Sequence, residues 1–158
     1  MIKSIDNSVV FEEIPDKVTL AFSITNCQNR CKGCHSAHLR CNIGEVLDEN
    51  VIDEKFAKTI KMCNCVLFLG EGNDREGLIR LNNYIKSKYN VETAIYSGRD
   101  EVEDDLFEYF DYVKVGSYKE ECGPLNKKTT NQRLFYHKKD ITNKFLIRDQ
   151  QPVRKGYL

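Results

Sequence analysis

The chain has 158 residues, with 24 Lys and Arg against 24 Asp and Glu and a formal net charge of zero. That length suits one domain with a real core, so 1–158 is read as a single unit, and the even charge balance excludes a basic field for gripping nucleic acid or an anionic membrane. Neither a signal-like N-terminus nor an apolar run of roughly eighteen residues is present, and the expectation is a cytoplasmic protein with no membrane partner.

In chain order, Val9–Ile14 and Val18–Ile24 read as two extended pieces around a Pro15-Asp16 turn. A cysteine-rich loop follows directly, at the C-terminal end of the second piece. Ile52, Phe56 and Ile60 recur every four residues and predict a helix from Asn50 to Met62, with Asp48 or Asn50 as its cap. The continuous apolar run Cys65-Val66-Leu67-Phe68-Leu69 predicts a strand covered on both faces, ended by Gly70-Glu71-Gly72-Asn73-Asp74. A helix on Leu78, Leu81 and Ile85, a strand at Thr93–Tyr96 closed by Ser97-Gly98, a helix on Val102, Leu106 and Phe110, and a strand at Tyr112–Val115 closed by Gly116 complete the alternation. This β-α-β-α-β-α-β order implies an α/β fold with a mostly parallel sheet, whose functional loops leave the C-terminal strand ends. Beyond Gly123-Pro124-Leu125 the pattern weakens. Arg133–His137 and Lys144–Ile147 are expected to form a hairpin across Lys139-Asp140, within a C-terminal appendage of about 137–158.

Seven cysteines are present, an odd number that argues against an extracellular disulfide framework and for reduced thiols on a metal. Three stand at Cys27, Cys31 and Cys34, in a loop where Asn26, Asn29 and Gly33 let the backbone curl. Three thiolates on a four-iron cluster leave one iron open to a further ligand, whereas a structural zinc site takes four protein ligands.

The run Cys27-Gln28-Asn29-Arg30-Cys31-Lys32-Gly33-Cys34 resembles the cluster signature of the radical S-adenosylmethionine superfamily. Gly33 before the third cysteine and His35 after it resemble the Gly-Cys-His form of the activases of anaerobic ribonucleotide reductase. Leu69-Gly70-Glu71-Gly72 is similar to the superfamily's Gly-Gly-Glu loop, with Leu69 in place of the first glycine. Tyr96-Ser97-Gly98 is similar to its Tyr-Thr-Gly turn, and Asp111–Gly116 to the strand before its Gly-Pro-Tyr segment. Gly123-Pro124-Leu125 and Thr130-Asn131-Gln132-Arg133-Leu134 resemble the ending of the reductase activases. The resemblance spans about 18–136.

It implies a shortened, open (β/α) partial barrel. Cys27, Cys31 and Cys34 would hold a 4Fe-4S cluster, and Gly33, Cys34, His35, Gly70, Glu71, Gly72, Ser97 and Gly98 would surround S-adenosyl-L-methionine, Glu71 accepting from the methionine ammonium. The activity implied is one-electron cleavage to a deoxyadenosyl radical that installs a glycyl radical on the glycine loop of the reductase, with a flavodoxin-like protein as electron donor. Other readings are an activase of a different glycyl radical enzyme, a small-molecule radical enzyme, and a zinc-binding interaction module completed by His35, His38 or Cys41. Outside the site, Cys63 and Cys65 read as core residues and Cys41 as a partly buried bystander. Lys114, within an apolar strand, is costly unless it is paired or points into the site, and reads first as an edge-strand lysine facing water; Asp100–Asp105 reads as a solvated helix start.

Overall fold

A computed structural model of the chain describes residues 1–34, 36–59 and 61–150, the last four of these by backbone alone. The chain begins with an antiparallel pair, β1 (Lys3–Val10) and β2 (Thr19–Ile24), in which Val10 faces Thr19. Asp16 takes the left-handed φ of 63° that the intervening turn demands. The first strand therefore lies upstream of the expected Val9–Ile14. Its residues are largely polar and half exposed, and it is held by ladder hydrogen bonds to a neighbour on each side, which no apolar pattern signals. Ile14 instead turns under the sheet and is fully buried.

There follow β3 (Glu45–Val46), α1 (Glu49–Thr59), β4 (Cys65–Leu69), α2 (Arg75–Tyr89), β5 (Glu92–Tyr96), α3 (Leu106–Tyr109), β6 (Tyr112–Val115), β7 (Arg133–Tyr136), β8 (Lys139–Asp140) and α4 (Asn143–Gln150). The helix starts are capped as the residue types suggest. Asp48 Oδ1 accepts from the Val51 amide at 3.0 Å, and Asp74 Oδ1 from the Gly77 amide at 3.0 Å. At Thr59, the last described residue of α1, the carbonyl accepts from the amides of Met62 and Cys63. Ile60, the third residue of its expected apolar face, lies outside the described residues.

The eight strands form one open sheet in the order β3-β1-β2-β4-β5-β6-β7-β8. The fold is α/β, but the sheet is mixed rather than mostly parallel. Three pairings are parallel, across β2, β4, β5 and β6, and four are antiparallel. Antiparallel strands are added at both edges, β8 by a tight hairpin with β7, and β3 and β7 by longer connections, whereas only crossovers through α1, α2 and α3 return the chain in parallel. The C-terminal hairpin also differs from expectation. It pairs β7 with β8, because His137 and Lys138 both adopt positive φ, 46° and 68°, as a two-residue hairpin turn requires. Lys144 onward is helical. Thr142 donates its hydroxyl to Asp140 Oδ1 at 2.7 Å, and the Phe145 amide donates to Thr142 O at 3.2 Å.

Alternation along β4 explains its continuous apolar run. Val66 and Phe68 join Leu20, Phe22, Ile95 and Val113 in a core covered by Ile52, Phe56, Leu78, Leu81, Ile85 and Leu106 of the helices. Cys65 and Leu67 point the other way, into a core of Ala21, Ala94, Tyr112 and Leu134 covered by Ile14, Ile141 and Phe145. Cys63 and Cys65 are thus core residues, and burial pushes the Cys65 thiol up to about 12. No helix among the described residues is long and apolar enough to cross a membrane.

Helices α1 and α2 are locked by Asp53, which accepts from Tyr84 Oη at 2.7 and 2.8 Å, from Lys88 Nζ at 2.9 Å and from Tyr89 Oη. The bonds from Tyr89, Lys88 and Tyr84 lower its carboxyl from 3.8 to about 2. A depressed carboxylate stabilises the fold above its unfolded value and loses that contribution as pH falls through the folded one. The gap in urea midpoint between wild type and Asp53→Asn should therefore be full near neutral pH and shrink between pH 3.8 and about 2. A gap independent of pH would show that the carboxylate's charge is not what matters.

Candidate metal centre and cofactor cleft

Parallel register sets Ser23, Leu69, Tyr96 and Lys114 in one row across β2, β4, β5 and β6. The segments that follow these four strands consequently leave the sheet at one end. The first carries Cys27, Cys31 and Cys34, all free thiols and all partly exposed. Positive φ at Asn26, 62°, and Gly33, 73°, turns this loop back on itself. It is stapled from behind: the Cys27 amide donates to Leu39 O at 2.9 Å, the Asn26 amide to Cys41 O at 3.3 Å, and Arg40 Nη2 to Cys31 O at 2.6 Å. The short 3-10 turn Ala37–Arg40 and its C-cap Cys41 supply these partners. Cys41, expected to be partly buried, is exposed, since its backbone rather than its thiol does the bracing. His35 lies outside the described residues.

The second segment is Gly70-Glu71-Gly72. Gly70 has φ 109° and its amide donates to Tyr96 O at 3.1 Å. Gly72, at φ 64°, lies so close to the root of the cysteine loop that a Cβ would come within 3.0 Å of Ile24 Cγ2 and 3.2 Å of Thr25 O. The third segment approaches as closely. A Cβ on Gly98 would stand 2.4 Å from Asn29 Nδ2. Between the three lies a cleft of about 290 Å³, lined by Cys27 and Asn29, by Gly70, Glu71, Gly72 and Arg75, and by Gly98 and Arg99.

Glu71 is the cleft's carboxylate, and it is already engaged. Ser97 Oγ donates to Oε2 at 2.7 Å, while Arg99 donates through Nε to Oε2 at 3.0 Å and through Nη2 to Oε1 at 2.7 Å. Three of about four acceptor positions of the carboxylate are thereby used, leaving it room for one further donor. Ser97 is fully buried; it orients Glu71 rather than lining the cleft. Arg99 also donates to Glu103, at 2.8 and 3.2 Å, and these bonds hold the Glu103 carboxyl at about 2.

The acidic run is largely exposed and leads into α3 with Asp105 at the N-cap, as expected, but it is also partly paired. Asp105 pairs with Arg75 at 2.5 Å, Asp100 accepts from the amide and hydroxyl of Ser117 at 3.0 Å each, and only Leu106–Tyr109 is helical. Lys114, by contrast, is not at an edge. Strand β6 lies between β5 and β7, and the lysine is 8% exposed. Burial drags its ammonium from 10.5 down to about 8, against the pull of Cys31, Asp100 and Cys34.

The structure thus brings Cys27, Gly70, Glu71, Gly72 and Gly98 together around one cleft, with Ser97 behind Glu71. Cys31 instead borders a neighbouring hollow lined by Lys32 and Ser117–Glu121, and a Cβ on Gly33 would stand 3.6 Å from the Glu120 carboxylate of that hollow. Cys34 follows in the same loop. Arg75 and Arg99 were missed in sequence, although Arg99 stands next to Ser97-Gly98; Asn29 and Lys114 were noted there, without a place in the site. At the opposite end of the sheet Glu92, Asp111 and His137 gather their ligand atoms within 4.8 Å. Lys17 at 2.7 Å from Glu92 and Lys86 at 2.9 Å from Asp111 already neutralise that group. No family model matches the chain, and no curated protein and no solved structure matches it either.

Proposed function

We propose that this chain is a radical S-adenosylmethionine activase, which puts a glycyl radical on an anaerobic ribonucleotide reductase. The observation carrying the proposal is the cleft in which Cys27 meets a carboxylate and a guanidinium, Glu71 and Arg99, across the ends of adjacent parallel strands. The donor set suits the cofactor: three soft thiols on one loop fit a four-iron cluster with an open iron. When bound there, such a cluster supplies the electron that cleaves S-adenosylmethionine to methionine and a deoxyadenosyl radical.

The chain's own residues supply recognition. Glu71 has an acceptor position left for an ammonium, and Arg99 and Arg75 offer guanidinium donors to a carboxylate, so the cleft answers both charges of an amino-acid moiety. Gly70, Gly72 and Gly98 let backbone approach the ligand closely. The open sheet encloses no chamber for a small substrate, which favours a macromolecular one that brings its own glycine loop. The activase ending at Gly123-Pro124-Leu125 and Thr130–Leu134 points to the reductase, with a flavodoxin-like protein as reductant.

The test is anaerobic reconstitution with iron and sulfide, dithionite reduction, and an assay for deoxyadenosine with and without the reductase. Deoxyadenosine together with an EPR doublet on the reductase is expected. Deoxyadenosine without a reductase radical would assign a different substrate, and a colourless protein holding zinc would replace the proposal by the interaction module.

A further inference from the structure

Lys114 is a buried cation that the recognition chemistry above leaves unused. Its ammonium donates to Ser97 O and Gly116 O, both at 3.1 Å, and stands 5.4 Å from the centre of the Tyr96 ring. These partners are the segments that leave β5 and β6 at the cleft end of the sheet. Two carbonyls and a ring face soften the burial of a charge but do not neutralise it. No carboxylate among the described residues forms an ion pair with it. Cys31 lines one hollow with Ser117, the residue after the Gly116 whose carbonyl Lys114 binds, and Asp100 is occupied with Ser117. The cysteine loop is thus the neighbour whose thiols, when ionised on a metal, would face this charge.

We infer that Lys114 is a positioning residue whose fixed positive charge raises the reduction potential of the cluster held by Cys27, Cys31 and Cys34. The inference rests on the function proposed above. Reduction adds one electron, and so one negative charge, to a centre that thiolates already make anionic. A cation in a poorly screened interior favours that more negative state. A lysine on the surface would be screened by water and salt. By bonding the carbonyl of Ser97, Lys114 also holds the turn that presents the Ser97 hydroxyl to Glu71.

The test is an EPR-monitored redox titration of the reconstituted protein, with iron and sulfide counted in each sample. Three variants are compared: Lys114→Met and Lys114→Gln remove the charge, Gln keeping an N–H donor for the carbonyls, and Lys114→Arg keeps the charge. Both neutral variants are expected to shift the one-electron equilibrium at least tenfold toward the oxidised cluster, about 59 mV more negative, while Arg stays near wild type. A neutral variant that holds the cluster at wild-type potential overturns the inference, as does an Arg variant that shifts as far as the neutral ones. If neither neutral variant retains iron, retention by Arg alone supports the role of charge, and loss in all three overturns it. A wild-type protein that takes up no iron-sulfur cluster is a separate result, and refutes the proposed function instead.

Discussion

Replacing Cys27, Cys31 or Cys34 by alanine should each reduce bound iron and sulfide to background and abolish deoxyadenosine formation. Each thiolate is one of three anchors for the centre, and the loop offers no substitute within its own curl. Cys41 is exposed and linked to the loop through its carbonyl, while Cys122 is joined through its own carbonyl to the Thr129 hydroxyl at 2.6 Å. Cys41→Ala and Cys122→Ala should therefore keep iron content and cleavage close to wild type. The contrast matters because any of these thiols can bind iron adventitiously during reconstitution. Retained cleavage in a Cys31→Ala protein would sink the cluster assignment. Loss of iron on Cys41→Ala would make that thiol a ligand and return the site to four protein donors, the number a closed zinc centre takes.

The second large effect is expected at Glu71. Glu71→Gln keeps the shape of the side chain but removes the charge that holds Arg99 and attracts an ammonium. A hydrogen bond to a charged group contributes about 1.5–3 kcal/mol, so the affinity for S-adenosylmethionine should fall by roughly tenfold to a hundredfold. Iron and sulfide content should not change, because the hydrogen bonds that Glu71 accepts come from Ser97 and Arg99 and not from the cysteine loop. Equilibrium binding to the reconstituted, unreduced protein measures this directly. Arg99→Gln should weaken binding through the carboxylate end of the ligand, and it also releases Glu103, whose low carboxyl value rests chiefly on Arg99. If Glu71→Gln bound as well as wild type, the carboxylate would be a structural clasp between the β4 and β5 loops and the ammonium would bind elsewhere.

Much of the fold was legible because its signals are short-ranged. Cys65–Leu69 was placed to the residue by an unbroken apolar run closed by glycine, Tyr112–Val115 by β-forming residues around one lysine closed by glycine, and Asp48 capped its helix as expected. The strands at the sheet's margins were not. β1 is mostly polar, β3 is two residues long, and each exists because a neighbour supplies ladder partners. The helical segment from Asn143 was mistaken for a strand, since Phe145-Leu146-Ile147 is apolar enough for either and Asp140 and Thr142 decide its start.

The same division runs through the site. Cys27, Cys31 and Cys34 lie within eight consecutive residues, and Gly70-Glu71-Gly72 and Ser97-Gly98 each sit directly after a readable strand, where the family resemblance marks them. The clasp of Ser97 and Arg99 on Glu71 joins residues 26 and 28 apart, and Arg75 reaches Asp105 across 30. Chain separation carries no trace of such meetings, which arise when parallel register lays β2, β4, β5 and β6 side by side. Lys114 is the sharpest case. A lysine within four strand residues favours the solvent edge on composition, yet two further strands added beyond β6 make it an interior residue whose ammonium bonds the Ser97 and Gly116 carbonyls at the cleft end of the sheet.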